Sequence, residues 1–145
     1  MKVSYGFTLI ELLIAVSIIA LLMTIGAISY MGFLRTTRDT SRQTDLKTIQ
    51  SVLEQYHADQ HSYPTQLQLN GQRFTNPSGD KVYLNKMPQE QWHETPYLYI
   101  ASPAGCDELT ILCVNYCLYA KLEGGSPTLG NCESQTGYNY AVSQP

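Results

Sequence analysis

The chain of 145 residues is predicted to be α+β: one long N-terminal helix with a transmembrane half and an amphipathic half, then a small antiparallel β-sheet packed on the second half. Three observations predict it. No Asp, Glu, Lys or Arg occurs from Leu12 to Leu34, a run of 23 residues. Leu46, Ile49, Leu53 and Tyr56 then recur at spacings of three and four with Val52 beside them, which is the pattern of one buried helical face. After Pro64, short aromatic and β-branched stretches alternate with clusters of Pro, Gly, Asn and Ser, as short strands and turns do. A net charge of −3 gives no electrostatic case for a nucleic-acid partner, because such binding leans on Lys and Arg neutralising phosphates.

The first element runs from Phe7 to Leu34, with Glu11 its one charged residue. As a helix, the uncharged part alone reaches about 34 Å, enough to cross a hydrocarbon core of roughly 30 Å. A cleaved secretory signal has an apolar region of only about 7–15 residues, and no small-x-small cleavage site follows Leu34. A retained membrane anchor is therefore expected. Glu11 is the anomaly, since a carboxylate in a membrane helix costs on the order of 3 kcal/mol unless it is paired or reaches the interface. Snorkelling at the membrane edge is one solution. A fixed cation is the other, and Lys2, beyond Gly6, is out of reach on the same helix, so the partner is expected from another molecule.

Gly6-Phe7-Thr8-Leu9-Ile10-Glu11-Leu12-Leu13-Ile14-Ala15-Val16 resembles the class III signal of type IV pilins and type II secretion pseudopilins. The resemblance implies a pilin-like fold and a leader from Met1 to Gly6. It implies cleavage between Gly6 and Phe7 by a prepilin peptidase, and methylation of the new amino terminus at Phe7. It also implies that the Phe7 α-ammonium meets Glu11 of a neighbouring subunit during assembly, so that two charges costly apart in lipid become tolerable together. The helix-breaking proline carried by many members is missing from Thr24–Tyr30, and Gly26 and Gly32 weaken a helix by only about 1 kcal/mol each. Arg35, Arg38, Arg42 and Lys47 follow the span while only Lys2 precedes it, so the positive-inside rule alone places the C-terminal side in the cytoplasm. The resemblance and the cysteines place it outside the cytoplasm, and that reading is adopted.

Beyond Leu34, residues 35–45 show no apolar stripe and read as a polar, solvated stretch of the same helix, with Arg35 and Asp39 at i,i+4 in support. The rod from Phe7 to about Asp59 is expected to reach roughly 80 Å and to stop around His61-Ser62-Tyr63-Pro64. Asn76–Asp80 reads as a turn, and Lys81–Leu84 as a short extended piece. Tyr97–Ile100, Tyr116–Leu122 and Tyr138–Val142 read as strands, with Gly124–Pro127 ending the second. Alternation in the middle one puts Tyr116, Leu118, Ala120 and Leu122 on one face and Cys117, Tyr119 and Lys121 on the other, which predicts a half-buried strand. The organisation expected is a leader at 1–6, a transmembrane half at 7–34, an amphipathic half at 35–61 and a globular head at 62–145. Ser62–Thr65 and Met87–Tyr99 also resemble, more weakly, the region after the helix in major pseudopilins and short pilins. There Gln89-Glu90-Gln91 replaces an acidic-proline step and His93 a glycine.

Cys106, Cys113, Cys117 and Cys132 allow three pairings or half of a zinc site; structural disulfides suit an exported domain with a small core. The favoured pairing is Cys106 with Cys113 and Cys117 with Cys132, because each closes a short loop. His57 and His61 have a spacing that can hold zinc, but no metalloenzyme motif accompanies them, and no nucleophile elbow, Walker loop or dinucleotide fingerprint occurs. After Glu108 the only acids are Glu123 and Glu133, so the calcium-binding acidic loop of pseudopilin relatives has no counterpart. No cofactor, metal or catalytic role is expected. The function expected is that of a type IV pilus-like structural subunit; the alternatives are a type II secretion pseudopilin and a membrane-anchored binding module that does not polymerise. The missing acidic loop favours pilus over pseudopilus. The partners expected are identical or related pilin subunits, the peptidase, an inner-membrane assembly platform, and membrane lipid before assembly.

Overall fold

The computed structural model describes residues 6–107, 110–125 and 127–144, with the backbone but not the side chain of Ile28. Met1–Tyr5 of the expected leader, Glu108 and the turn residue Ser126 lie outside the described residues. The chain forms two compact units, Met1–Thr36 and Thr37–Pro145.

Helix α1 runs Leu9–Gln60, unbroken at Gly26 and Gly32. It stops where Pro64 is near and where His61 takes a left-handed φ of 59°. The His61 N–H still donates to the His57 carbonyl at 2.8 Å, so His61 does the capping that glycine usually does. The His57 ring stacks on Tyr63 at 4.5 Å, and among the described residues no group of His, Cys, Asp and Glu could hold a metal ion.

In the first unit, the large apolar side chains described between Leu9 and Phe33 are all at least 51 % exposed. A helix apolar on every side is stable only inside a core or a membrane. Its serine and threonine hydroxyls along this stretch turn back on the helix: Ser17 donates to the Leu13 carbonyl at 2.8 Å, Thr24 to Ala20 at 2.8 Å and Ser29 to Ile25 at 3.2 Å. Each of these three hydroxyls thus carries its own partner into an apolar solvent.

The second unit has two small antiparallel sheets rather than one. Strands β1 (Phe74–Thr75) and β2 (Val82–Leu84) pair through a register shift; β3 (Leu98–Ser102), β4 (Asn115–Ala120) and β5 (Tyr140–Ser143) form a meander in that order. The α1 residues Leu46, Ile49 and Leu53 are fully buried against Tyr63, Met87, Tyr97, Tyr116 and Leu118. Burial of such side chains contributes roughly 1.5–3 kcal/mol each. Tyrosines tie sheet to helix: the Tyr63 and Tyr116 hydroxyls donate to Glu54 and the Tyr97 hydroxyl to Asp45 at 2.8 Å. Burial, then the Glu54 carboxylate, pushes the Tyr63 phenol up to about 12.

Strand β4 is not half-buried as alternation predicts. Tyr119, on the face opposite Leu118, is 2 % exposed, because Cys132 and Ala141 pack on it and the Cys117–Cys132 bond ties the 128–138 loop over that face. The strand ends at Ala120. Leu122 lies beyond it, its N–H and carbonyl both bonded to the Asn139 side chain at 2.7 and 3.0 Å.

The second correction concerns residues 38–42, expected to be solvated. Arg42 is fully buried and Asp39 only 9 % exposed. Arg42 meets Asp39 at 2.7 Å, Glu90 at 2.9 Å and Glu123 at 3.2 Å, with the Trp92 ring 5.9 Å from its guanidinium carbon. Arg38 donates to both Glu123 oxygens at 2.7 and 2.5 Å. The carboxylates also accept backbone N–H groups: Asp39 from Glu123 and Gly124 at 2.9 and 3.0 Å, and Glu90 from Trp92 at 2.9 Å and His93 at 3.1 Å. Asp39 therefore pairs at i,i+3 with Arg42 and with a distant loop, where the sequence pointed to Arg35.

The hydrogen bond from Arg38 holds the Glu123 carboxyl down to about 2, against a usual 4.5. A folded value below the unfolded one means stabilisation that is full above the unfolded value and lost as pH falls from there through the folded value. Acid titration of the full chain should show head stability falling between about pH 4.5 and 2. Glu123→Gln should flatten that part of the profile; an unchanged slope would remove the pair from the account.

Candidate functional site

The residues expected to direct processing and assembly stand at the start of α1. Gly6, Phe7 and Thr8 precede the helix in a non-helical run, and Phe7 is 90 % exposed. Thr8 is the N-cap. Its backbone N–H and its hydroxyl both donate to Glu11 Oε2 at 2.8 Å, and the Glu11 N–H donates to Thr8 Oγ1 at 3.3 Å. This is a reciprocal capping box, with the carboxylate also placed at the positive end of the helix dipole.

No cation stands within reach of Glu11 in the sequence of its own helix. The structure supplies a different partner just before that helix: the N-cap Thr8, through two donors. The signal was present as Thr8-x-x-Glu11 ahead of an apolar run. Two neutral hydrogen bonds satisfy one oxygen but leave a net charge, so the carboxylate is held in place and still able to attract a cation.

The four cysteines form two bonds, Cys106–Cys113 and Cys117–Cys132, with sequence separations of 7 and 15. They are joined in the pairs that short loops favour, and no thiol is left over. The first braces the β3–β4 connection, where Asp107 accepts the Ile111 N–H at 3.1 Å and the Tyr63 N–H reaches the Cys113 carbonyl at 2.8 Å. The second holds the cover over Tyr119. Replacing Cys117 and Cys132 together by Ser is expected to cost about 3 kcal/mol in denaturant unfolding of the full chain. A loss below about 1 kcal/mol would show that the cover stays in place unaided.

Comparison with known proteins agrees with this geometry. The prokaryotic N-terminal methylation motif matches residues 1–27, and the type II secretion system (T2SS) protein G family matches residues 29–114. A type II secretion system core protein G of Pseudomonas aeruginosa is 30 % identical over 104 residues, 66 % of this chain and 72 % of that protein. One from Aeromonas hydrophila is 24 % identical over 95 residues, 60 % of this chain and 66 % of that protein. No solved structure matches. These descriptions fall on the secretion branch, the second of the two filament readings open from sequence. Since one match spans more than half of its length, from the second half of α1 through β3, the chain belongs to the type II secretion system protein G family.

Proposed function

We propose that this chain is a pseudopilin-type subunit whose work is polymerisation. A pilin-like filament subunit is what the methylation motif and the family support. In the finer reading, residues 1–6 are a leader cut between Gly6 and Phe7 by a prepilin peptidase, and Phe7 is then methylated. Residues 7–34 hold the subunit in the inner membrane until an assembly platform lifts it into a filament of identical or related subunits. Residues 35–61 and 62–145 form the extracytoplasmic stalk and head, in the oxidising compartment that suits two disulfides. No catalytic role belongs to this reading.

The observation that carries it is the pairing of an entirely apolar helix surface with a single carboxylate fixed at the helix start. Leaving lipid, that surface must be buried again, and equivalent helices offer an equivalent surface. Intact-mass analysis of protein from the native membrane tests the reading. A chain beginning at methylated Phe7 is expected; a chain that keeps Met1–Gly6 where the peptidase is active would overturn it.

A further inference from the structure

The outer face of the three-stranded sheet holds a groove of about 600 Å³, distinct from the residues at the start of α1. Its floor is Ile100 of β3, register partner of Cys117, together with Cys117 and Tyr119 of β4. Asn115 and Ser143 stand at one side, and Asn131, Glu133 and Gln135 stand on the loop that the Cys117–Cys132 bond ties down. The size is that of a small-molecule cleft.

The lining excludes some ligands and favours others. Among the described residues neither Lys nor Arg lines the groove, and Glu133 is the one carboxylate side chain there, so a phosphate or another anion finds no countercharge. An extended peptide adds to a sheet through the backbone groups of an edge, whereas this groove lies on the sheet's face over β4, whose backbone is paired with β3 on one side and β5 on the other. What remains is a set of neutral amides and hydroxyls around an apolar strip. Each amide both donates and accepts, as vicinal hydroxyls do. Asn115 accepts from the Gln144 amide with its oxygen, which aims its NH₂ as a donor, and the Tyr119 hydroxyl is already given to the Glu133 carbonyl at 3.0 Å. We propose that this groove binds a neutral saccharide, a sugar ring resting on Ile100 and Cys117 while its hydroxyls meet Asn115, Asn131 and Gln135.

The test is titration of the full-length chain, in nanodiscs of zwitterionic lipid, with maltotriose, cellotriose and triacetylchitotriose, read by saturation-transfer NMR and calorimetry. At least one trisaccharide is expected to saturate, with an affinity that changes less than about twofold from low to high salt because no ion pair is made. Asn115→Trp, which fills the groove from an exposed position, is expected to weaken binding about tenfold or more. Should that variant melt at a lower temperature than the native chain, Asn131→Ala decides, with a loss of about threefold or more expected. Saturation by none of the three overturns the proposal, as does binding that both variants leave unchanged. A sulfated trisaccharide that binds more tightly than its neutral counterpart, with steep salt dependence, overturns it too. None of these outcomes bears on polymerisation, so the filament reading stands or falls separately.

Discussion

A Glu11→Ala chain is expected to remain in the membrane, keep a folded head, and give almost no filament. The head is a separate unit with its own core, so losing one capping box, worth about 1 kcal/mol, frays the first turn of α1 and little else. Assembly should suffer far more. If a neighbour's amino terminus relieves a charge that costs roughly 3 kcal/mol in lipid, removing that charge shifts the assembly equilibrium by about a hundredfold. Glu11→Gln separates charge from capping, because its amide oxygen can still accept from Thr8 but no longer attracts an ammonium. Pelleted filament measured for both variants, beside total membrane-bound protein, gives the answer. Assembly by Glu11→Gln at the native level would reduce Glu11 to a cap, native assembly by both would remove Glu11 from the assembly contact, and no filament even from the native chain would favour an anchored module that does not polymerise.

Arg42→Ala is expected to destabilise the head by about 3–5 kcal/mol, a large share of the roughly 5–15 kcal/mol that holds a domain of this size. The guanidinium is fully buried among three carboxylates, and Glu90 has a side chain only 3 % exposed. Taking away the cation leaves Glu90 and Asp39 facing each other's charge without relief. The loss is double: three segments, at 38–42, 89–93 and 122–124, are joined through these groups and the backbone N–H groups they accept. Trp92, the chain's single tryptophan, lies beside Arg42 and reports the region by fluorescence during denaturant unfolding. Arg42→Met combined with Glu90→Gln should recover part of the loss, since the uncompensated charge rather than the missing contact is the larger cost. A loss under about 1 kcal/mol for Arg42→Ala would mean that water or a neighbouring cation compensates the site.

Elements with a strong internal period were legible in the sequence. The uncharged run and the Leu46-Ile49-Leu53-Tyr56 stripe dictate a helix and the side it buries, and Pro64 and His61 mark its end. The Arg42 centre was not legible, because Glu90 and Glu123 lie 48 and 81 residues away and a polar helical turn ordinarily faces water. Strand β1 escaped notice because two residues carry no pattern. Burial of Tyr119 was hidden for another reason: its cover is a loop without periodicity, held by a bond between residues 15 apart. At the assembly segment the motif named Gly6, Phe7 and Glu11, while the hydrogen bonds of Thr8 follow from the separate rule of helix starts. The saccharide groove could not be read beforehand, since its lining comes from all three strands and two connections.

Strand β4 has a neighbour along each edge and side chains stacked above and below it, whereas β3 and β5 each have a rim. Solvent must remove the outer layers before it touches the amides of Tyr116 to Ala120. A fibre pulled from its ends would therefore shed peripheral loops first while the centre of each bead endures, so mechanical wear need not erase the fold.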